Sequence, residues 1–224
     1  MRELILNLHG LGEPHPLVDA QERRYWWSPI SFARLLDQIL DRPADVSPKI
    51  SITLDDGNAS DAVVALPELA KRGLTASFFV CAGRIGKKYY LDKAMIGALL
   101  DSGMSIGSHG MYHRDWRGLD TPDLEMEIVN ARRILEDVTG RAVTTVAIPF
   151  GSYDRRVLRW LKRDRWDCIY TSDRGTARVE AKMKRRETLD ADMQARDILR
   201  ELEATRPVQI RISQTMSRFY KRWR

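Results

Sequence analysis

Asp55 and Asp56 stand side by side at the end of the apolar run Ile50-Ser51-Ile52-Thr53-Leu54, and the pair His109 and His113 follows about fifty residues later. Two histidines four apart can point the same way from one helical turn or tight loop, and a carboxylate from a neighbouring strand can close a facial set of three ligands. Such a set leaves positions on a divalent metal open for water and substrate. Asp56 is the economical metal ligand of the carboxylate pair, because Asp55 can then stand beside the water and accept its proton. Paired roles of this kind are what metal-assisted hydrolysis needs. Either half alone would be weak: Asp-Asp-Gly is usually a turn, and a lone His-x-x-x-His usually sits on a surface or in a core.

Placing these residues together requires a repeating scaffold. Strand patterns lie at Glu3 to Leu8, Ile50 to Leu54, Thr75 to Cys81, Ser105 to Ser108, Thr144 to Ile148, Asp167 to Thr171 and Val208 to Ser213. Helical patterns lie between and after them, at Ser28 to Asp41, Ala59 to Arg72, Asp92 to Ser102, Pro122 to Val138, Asp154 to Arg165 and Met193 to Ala204. In the fourth helix Thr121 is the expected cap, Pro122 suits the first turn and Gly140 the stop. The alternation implies parallel strands. Seven of them favour a distorted seven-stranded (β/α) barrel over an open doubly wound sheet, although pattern alone admits both. His9, Asp55, Asp56, His109, Pro149 and Phe150 all fall just after strand ends, the rim where parallel barrels carry their sites.

At 224 residues and 43% hydrophobic, the chain can bury one full core. No linker-like stretch divides it, so we expect one α/β domain over 1–213 and a basic aromatic tail over 214–224. Cys81 and Cys168 lie apart in apolar runs and read as free thiols of a reducing compartment. The first residues are too short and polar for a signal peptide, which points to a cytoplasmic protein. The net charge of +6 is matched by six cations and no acid between Ala204 and Arg224. The rest of the chain is balanced and carries no nucleic-acid fingerprint, so no nucleic-acid partner is expected. The tail's mix of Phe219, Tyr220 and Trp223 with cations suits an anionic membrane surface at the inner face, or is simply a frayed end.

Thr53-Leu54-Asp55-Asp56-Gly57, Ser108-His109-Gly110-Met111-Tyr112-His113 and Pro149-Phe150-Gly151 resemble, in order, the first three motifs of the polysaccharide deacetylase superfamily, carbohydrate esterase family four. The resemblance implies a distorted seven-stranded barrel, with Asp55 as general base and Asp56, His109 and His113 as metal ligands. It further implies that Pro149, Phe150 and Gly151 wall the substrate groove, with a backbone N–H near Phe150 for the oxyanion.

The chain departs from the family pattern at four places. Gly110 stands where Ser or Thr usually follows the first His, so a loop hydrogen bond is absent or replaced. Ala147 stands where an Arg usually orients the base, leaving Arg23, Arg24 and Arg114 as substitutes. Leu54 replaces an aromatic. The family's general-acid His after the last strand is missing from Val208-Gln209-Ile210-Arg211-Ile212-Ser213. Ile5-Leu6-Asn7-Leu8-His9 looks like that strand and its His moved to the front, as in permuted members of the superfamily, which makes His9 the expected general acid. His15, between Pro14 and Pro16, suits a structural or substrate-contacting role. Tyr25 and Trp26, beside Glu22, Arg23 and Arg24, suit either the core edge or a sugar-gripping groove.

The expected activity is removal of N-acetyl groups from an amino sugar in a glycan or glycolipid, with one divalent ion, zinc suiting the ligands best. Hydrolysis of a small non-sugar amide on the same scaffold is the enzyme alternative. A non-catalytic, metal-containing glycan- or membrane-binding scaffold is the other.

Overall fold

The computed structural model describes residues 1–43 and 47–193. Strands β1 (Arg2–Leu8), β2 (Lys49–Asp56), β3 (Ser77–Val80), β4 (Ser105–Ser108), β5 (Thr145–Ala147) and β6 (Cys168–Thr171) pair in sequence order, all parallel. Helices α1 (Pro29–Leu40), α2 (Leu66–Lys71), α3 (Lys93–Asp101), α4 (Thr121–Glu125), α5 (Ala131–Thr139) and α6 (Arg155–Arg163) run between them. A two-residue strand β7 (Ala177–Arg178) lies antiparallel beside the start of β1.

The seventh position on the barrel comes from β8 (Met183–Arg185) and β9 (Glu187–Thr188), two halves of one extended segment interrupted by Arg186. β8 pairs with β6 and β9 with β1, both parallel, so this segment carries the sheet round to its beginning and nearly closes the barrel. The segment stays continuous across the break: the Arg186 N–H donates to Thr171 O, and the Leu189 N–H to Asn7 O. The place between β6 and β1 is thus filled by Met183 to Thr188, which the sequence did not suggest as a strand; the expected strand Val208 to Ser213 lies outside the described residues, as do the tail and the Met193 to Ala204 helix beyond Met193. Met183 to Thr188 escapes a hydrophobic pattern because its lumen-facing residues are Lys184 and Arg186. Lys184 forms an ion pair with the buried Glu3, to which Ser51 also donates.

Alternation along each strand separates the two faces. Leu4, Leu6 and Leu8 of β1, Ile52 and Leu54 of β2, and Phe78 and Val80 of β3 join the helices in the apolar core. The opposite positions fill the lumen, which is polar near its axis and aromatic on one side, where Phe79 meets Tyr170 at 4.9 Å. Gly107 is small because of this: a Cβ there would lie 2.4 Å from the Phe79 ring.

Helix starts follow local chemistry. Ser28 caps α1 ahead of Pro29, Asp92 caps α3 and Asp154 caps α6. For α4 the cap is Asp120, accepting from the Asp123 N–H, one residue earlier than expected, and Thr121 is already helical. Gly140, at φ 65°, stops α5 as the sequence suggests. Single π-helical turns precede α2 (Asp61–Ala65) and α5 (Met126–Asn130). Cys81 and Cys168 are free thiols.

Candidate active site and metal centre

The strand ends β1, β2 and β4 deliver His9, Asp55, Asp56 and His109 to one rim, and the loop after β4 brings His113. One ligand atom from each of Asp56, His109 and His113 falls within 4.8 Å of the others. His113 Nε2 is 3.5 Å and His109 Nε2 3.9 Å from Asp56 Oδ1. Neighbouring strand residues should point apart, yet Asp55 and Asp56 both face the site, because Asp56 adopts φ 83°. His113 and Phe150 also hold left-handed backbone, at φ 59° and 58°. Non-glycine residues avoid this region, so three such positions around one site mark a geometry the surrounding fold enforces.

The donor set fits a divalent cation on three observations. Asp56 Oδ1 is buried without a hydrogen bond, although the Arg84 guanidinium lies 3.3 Å away. His109 Nδ1 is 2.8 Å from Ala147 O, which fixes it as the N–H donor and leaves the Nε2 lone pair facing the cluster. His113 Nδ1 has the Glu22 carboxylate 3.6 Å behind it. Burial pushes the pKa of His109 down to about 4 against the opposing pull of Asp55, so the ring is neutral and able to ligate. Burial works to raise the pKa of Asp56, but His113, His9, His109 and Arg84 outweigh it and hold the carboxyl well below its usual range.

Asp55 is placed differently. Arg186 Nη1 and Nη2 donate to its two oxygens at 2.6 and 2.7 Å, and Asn7 Nδ2 donates to Oδ2 at 3.0 Å. Arg186 Nη1 also reaches Asn7 Oδ1, and Thr53 Oγ1 donates to the same oxygen. Burial would push the Asp55 pKa up, but the Arg186 charge and the nearby His109 hold it below the usual value. Arg186 is itself 0% exposed, its guanidinium 5.3 and 5.9 Å from the Phe79 and Tyr170 ring centroids. The arginine absent at Ala147 is therefore supplied from the closing strand. Arg23, Arg24 and Arg114 do not serve: Arg24 pairs with Asp190, Arg114 with Asp123, and Arg23 is exposed.

The Gly110 departure is also compensated. The carboxylate of Glu127, 0% exposed, accepts from the Met111 and Tyr112 N–H groups and from Trp116 Nε1, so the His109 to His113 loop is tied from the π-helical turn behind it. Gly110 sits at φ 79°, where a Cβ would come 2.5 Å from that carboxylate. Glu127 escaped the sequence reading because it looks like one more charged residue on a helix.

His9 is half-buried and stacks on Tyr25 at 5.1 Å, near enough to Asp55 and Asp56 to contribute to the lowered pKa of both. Its Nδ1 is buried with no hydrogen-bond partner. Phe150 is 58% exposed with its ring 4.4 Å from that of His113, whereas Pro149 and Gly151 are buried behind it. Trp26 packs down onto Gly10 and the edge of His15, only 9% exposed, so of the two aromatics Tyr25 is the one left partly open. His15 is buried, stacked on Tyr89 at 4.8 Å with Asn58 Oδ1 3.4 Å from its Nε2, which suits a packing role.

Residues 43–167 match the family model for polysaccharide deacetylase. The chain is 26% identical over 128 residues to YxkH of Bacillus subtilis, named for polysaccharide deacetylation, covering 57% of this chain and 46% of that protein. It is 26% identical over 115 residues to the peptidoglycan-N-acetylglucosamine deacetylase PgdA of Listeria monocytogenes, covering 51% and 24%. The chain thus spans less than half the length of these relatives. In fold it resembles the Streptococcus pyogenes deacetylase PplD, solved with acetate, at a TM-score of 0.77 and 18% identity over 90% of this chain and 98% of that one.

Proposed function

The chain belongs to the polysaccharide deacetylase family, and from that premise we propose that it is a metal-dependent hydrolase releasing acetate from an N-acetylated amino sugar within a glycan or glycolipid. The observation that carries the reading is the division of labour between adjacent carboxylates: Asp56 offers the histidine pair an oxygen that accepts no hydrogen bond, while Asp55 is withheld in the fork of Arg186.

A divalent ion held by Asp56, His109 and His113, zinc by ligand preference, would polarise the acetyl carbonyl and acidify water. Asp55 is the base. Arg186 keeps it ionised and fixes its plane, and the remaining lone pairs accept the proton of the attacking water. Amide cleavage then requires a proton on the departing nitrogen, and His9, beside both carboxylates, donates it. The turn Pro149–Gly151 carries the exposed Phe150 ring as an apolar wall next to His113, and a backbone N–H of that turn stabilises the oxyanion. The name of PgdA and the acetate bound to PplD support acetylated sugar chemistry.

A non-catalytic scaffold would be suited by two features, the missing motif arginine and the displaced histidine. Arg186 removes the first. Acetate release from N-acetylglucosamine oligomers and from small non-sugar amides, paired with metal analysis of the purified protein, tests the proposal. Release from sugars with about one metal per chain is the expected result. Release from small amides alone shifts the substrate class, and metal without turnover on any substrate leaves the scaffold reading.

A further inference from the structure

Helix α6 and the residues after it, Arg155 to Arg165, hold six cations and one acid. That acid, Asp164, is already engaged by Arg132. The acid before the helix, Asp154, caps it by accepting from the Val157 N–H. A cleft of about 230 Å3 lies along this helix, lined by Thr121, Arg156, Arg159, Trp160 and Arg163.

Two of its three guanidiniums are held in place. Arg156 Nη2 donates to the carbonyls of Trp116, Arg117 and Leu119, which bolts it to the turn opposite the helix. Arg163 lies 3.8 Å over the Trp160 ring. Neither Arg159 nor Arg163 has a carboxylate partner among the described residues, and both are exposed. Long cations pinned before binding lose less entropy on meeting an anion, so the cleft is preorganised for one.

Its two walls hang from the active-site loops. One is α6, which begins just after the turn bearing Phe150. The other runs from His113 through the turn Trp116–Gly118 to Thr121. His113 and Phe150 are in ring contact, so both walls diverge from the same place. The cleft is therefore bordered by the same two chain segments that carry His113 and Phe150. The volume is below the roughly 300 to 1,000 Å3 of enclosed small-molecule sites, which suits one charged group rather than a length of chain. A bilayer is a poorer fit, since the cleft is concave and its Trp is covered by Arg163.

We propose that the α6 cleft binds an oxyanion, carboxylate or phosphate, carried by the sugar chain being deacetylated, so that the protein selects acidic glycans. The inference rests on the glycan reading above for the class of its ligand, and its test does not depend on turnover. Calorimetric titration of the full chain would compare an oligogalacturonate, a phosphorylated monosaccharide and a neutral N-acetylglucosamine oligomer, with vesicles of phosphatidylcholine and phosphatidylglycerol as a further arm.

The acidic sugars should bind with an affinity that falls as salt rises. The double variant Arg159→Gln and Arg163→Gln should bind them about ten-fold more weakly, as expected for two partly exposed charge pairs. Neutral-oligomer binding, and any acetate release from it, should be unchanged, which also shows that the variant is folded. Whichever acidic sugar binds more tightly identifies the anion as carboxylate or phosphate. Equal affinity of wild type and variant for both acidic sugars overturns the proposal. So does arginine-dependent binding to the vesicles with none to either sugar. Intact acidic-sugar binding without acetate release from any substrate would count against the catalytic reading alone.

Discussion

Arg186 grips both oxygens of Asp55 across 131 residues of sequence, at 2.6 and 2.7 Å, from the one residue at which the closing strand of the barrel is interrupted. Barrel closure and the charge state of the candidate base therefore depend on the same residue. Arg186→Lys replaces a fork by a point charge and should lower kcat with little change in KM, since a lysine cannot hold both oxygens at once. Arg186→Met leaves the buried carboxylate unpaired and should cost about 3 to 5 kcal/mol of stability, read as a fall in urea midpoint. Arg186 holds the Asp55 pKa down, so its loss lets burial push that pKa up. The acid limb of kcat/KM in any variant that stays folded should move to higher pH. An unmoved acid limb would mean that Asp55 is not the group titrating there.

The two carboxylates should separate in metal analysis. Asp56→Asn, His109→Ala and His113→Ala should each lose stoichiometric metal. Asp55→Asn should retain it while turnover falls on the order of 100-fold or more. Glu22, 3.6 Å behind His113 Nδ1, orients that ring, so Glu22→Gln should weaken metal affinity by roughly ten-fold in competition with a chelating dye. Equal metal loss in Asp55→Asn and Asp56→Asn would remove the distinction between base and ligand.

The loop between the two candidate metal histidines offers a test on stability alone. Glu127 accepts from the buried Met111 N–H and Trp116 indole and from the partly buried Tyr112 N–H there. Glu127→Ala should destabilise the fold by about 1 to 3 kcal/mol for each donor left unpaired. Gly110→Ala should also destabilise, from its positive φ and from the approach to the Glu127 carboxylate. Unchanged thermal midpoints in both variants would show that the loop is held by something else.

The parts of the molecule legible in the sequence are those with a local signature. Strands β1 to β6 could be read because their core faces carry residues such as Leu4, Leu6 and Leu8, or Phe78 and Val80, bounded by turn residues. Asp55, Asp56, His109 and His113 could be read because each pair is adjacent or four apart. Arg186 and Glu127 have no such signature. Each acts on a loop or strand remote in sequence, and each is a charged residue that usual patterning assigns to solvent. The closing strand failed for the same reason: Lys184 and Arg186 face a lumen that is polar because Glu3 and Asp55 are in it, so the usual rule that inward means apolar inverts. Two losses the motifs seemed to record, at Ala147 and Gly110, are relocations visible only in three dimensions.

His9 gives the most discriminating functional test, because His109 and His113 are committed to the metal cluster and His15 is packed against Tyr89, Tyr90 and Trp26. It stands at the end of β1, beside Asp55 and Asp56, with a buried Nδ1 that no group among the described residues satisfies. An amine must be protonated as its C–N bond breaks, so loss of the acid should lower kcat far more than metal affinity. General acid catalysis contributes about 100- to 10,000-fold, and His9→Gln should lose a factor in that range on N-acetyl sugars while binding metal normally. Tyr25→Phe keeps the stacked ring beside His9 and should have a small effect, whereas Tyr25→Ala frees the imidazole and should lower kcat without moving metal content. The penalty in His9→Gln should shrink on an activated aryl acetate, whose leaving group departs without a proton. A His9→Gln protein that deacetylates sugars at the wild-type rate would show that the proton comes from another group, and the front-strand histidine would then be a packing residue stacked on Tyr25.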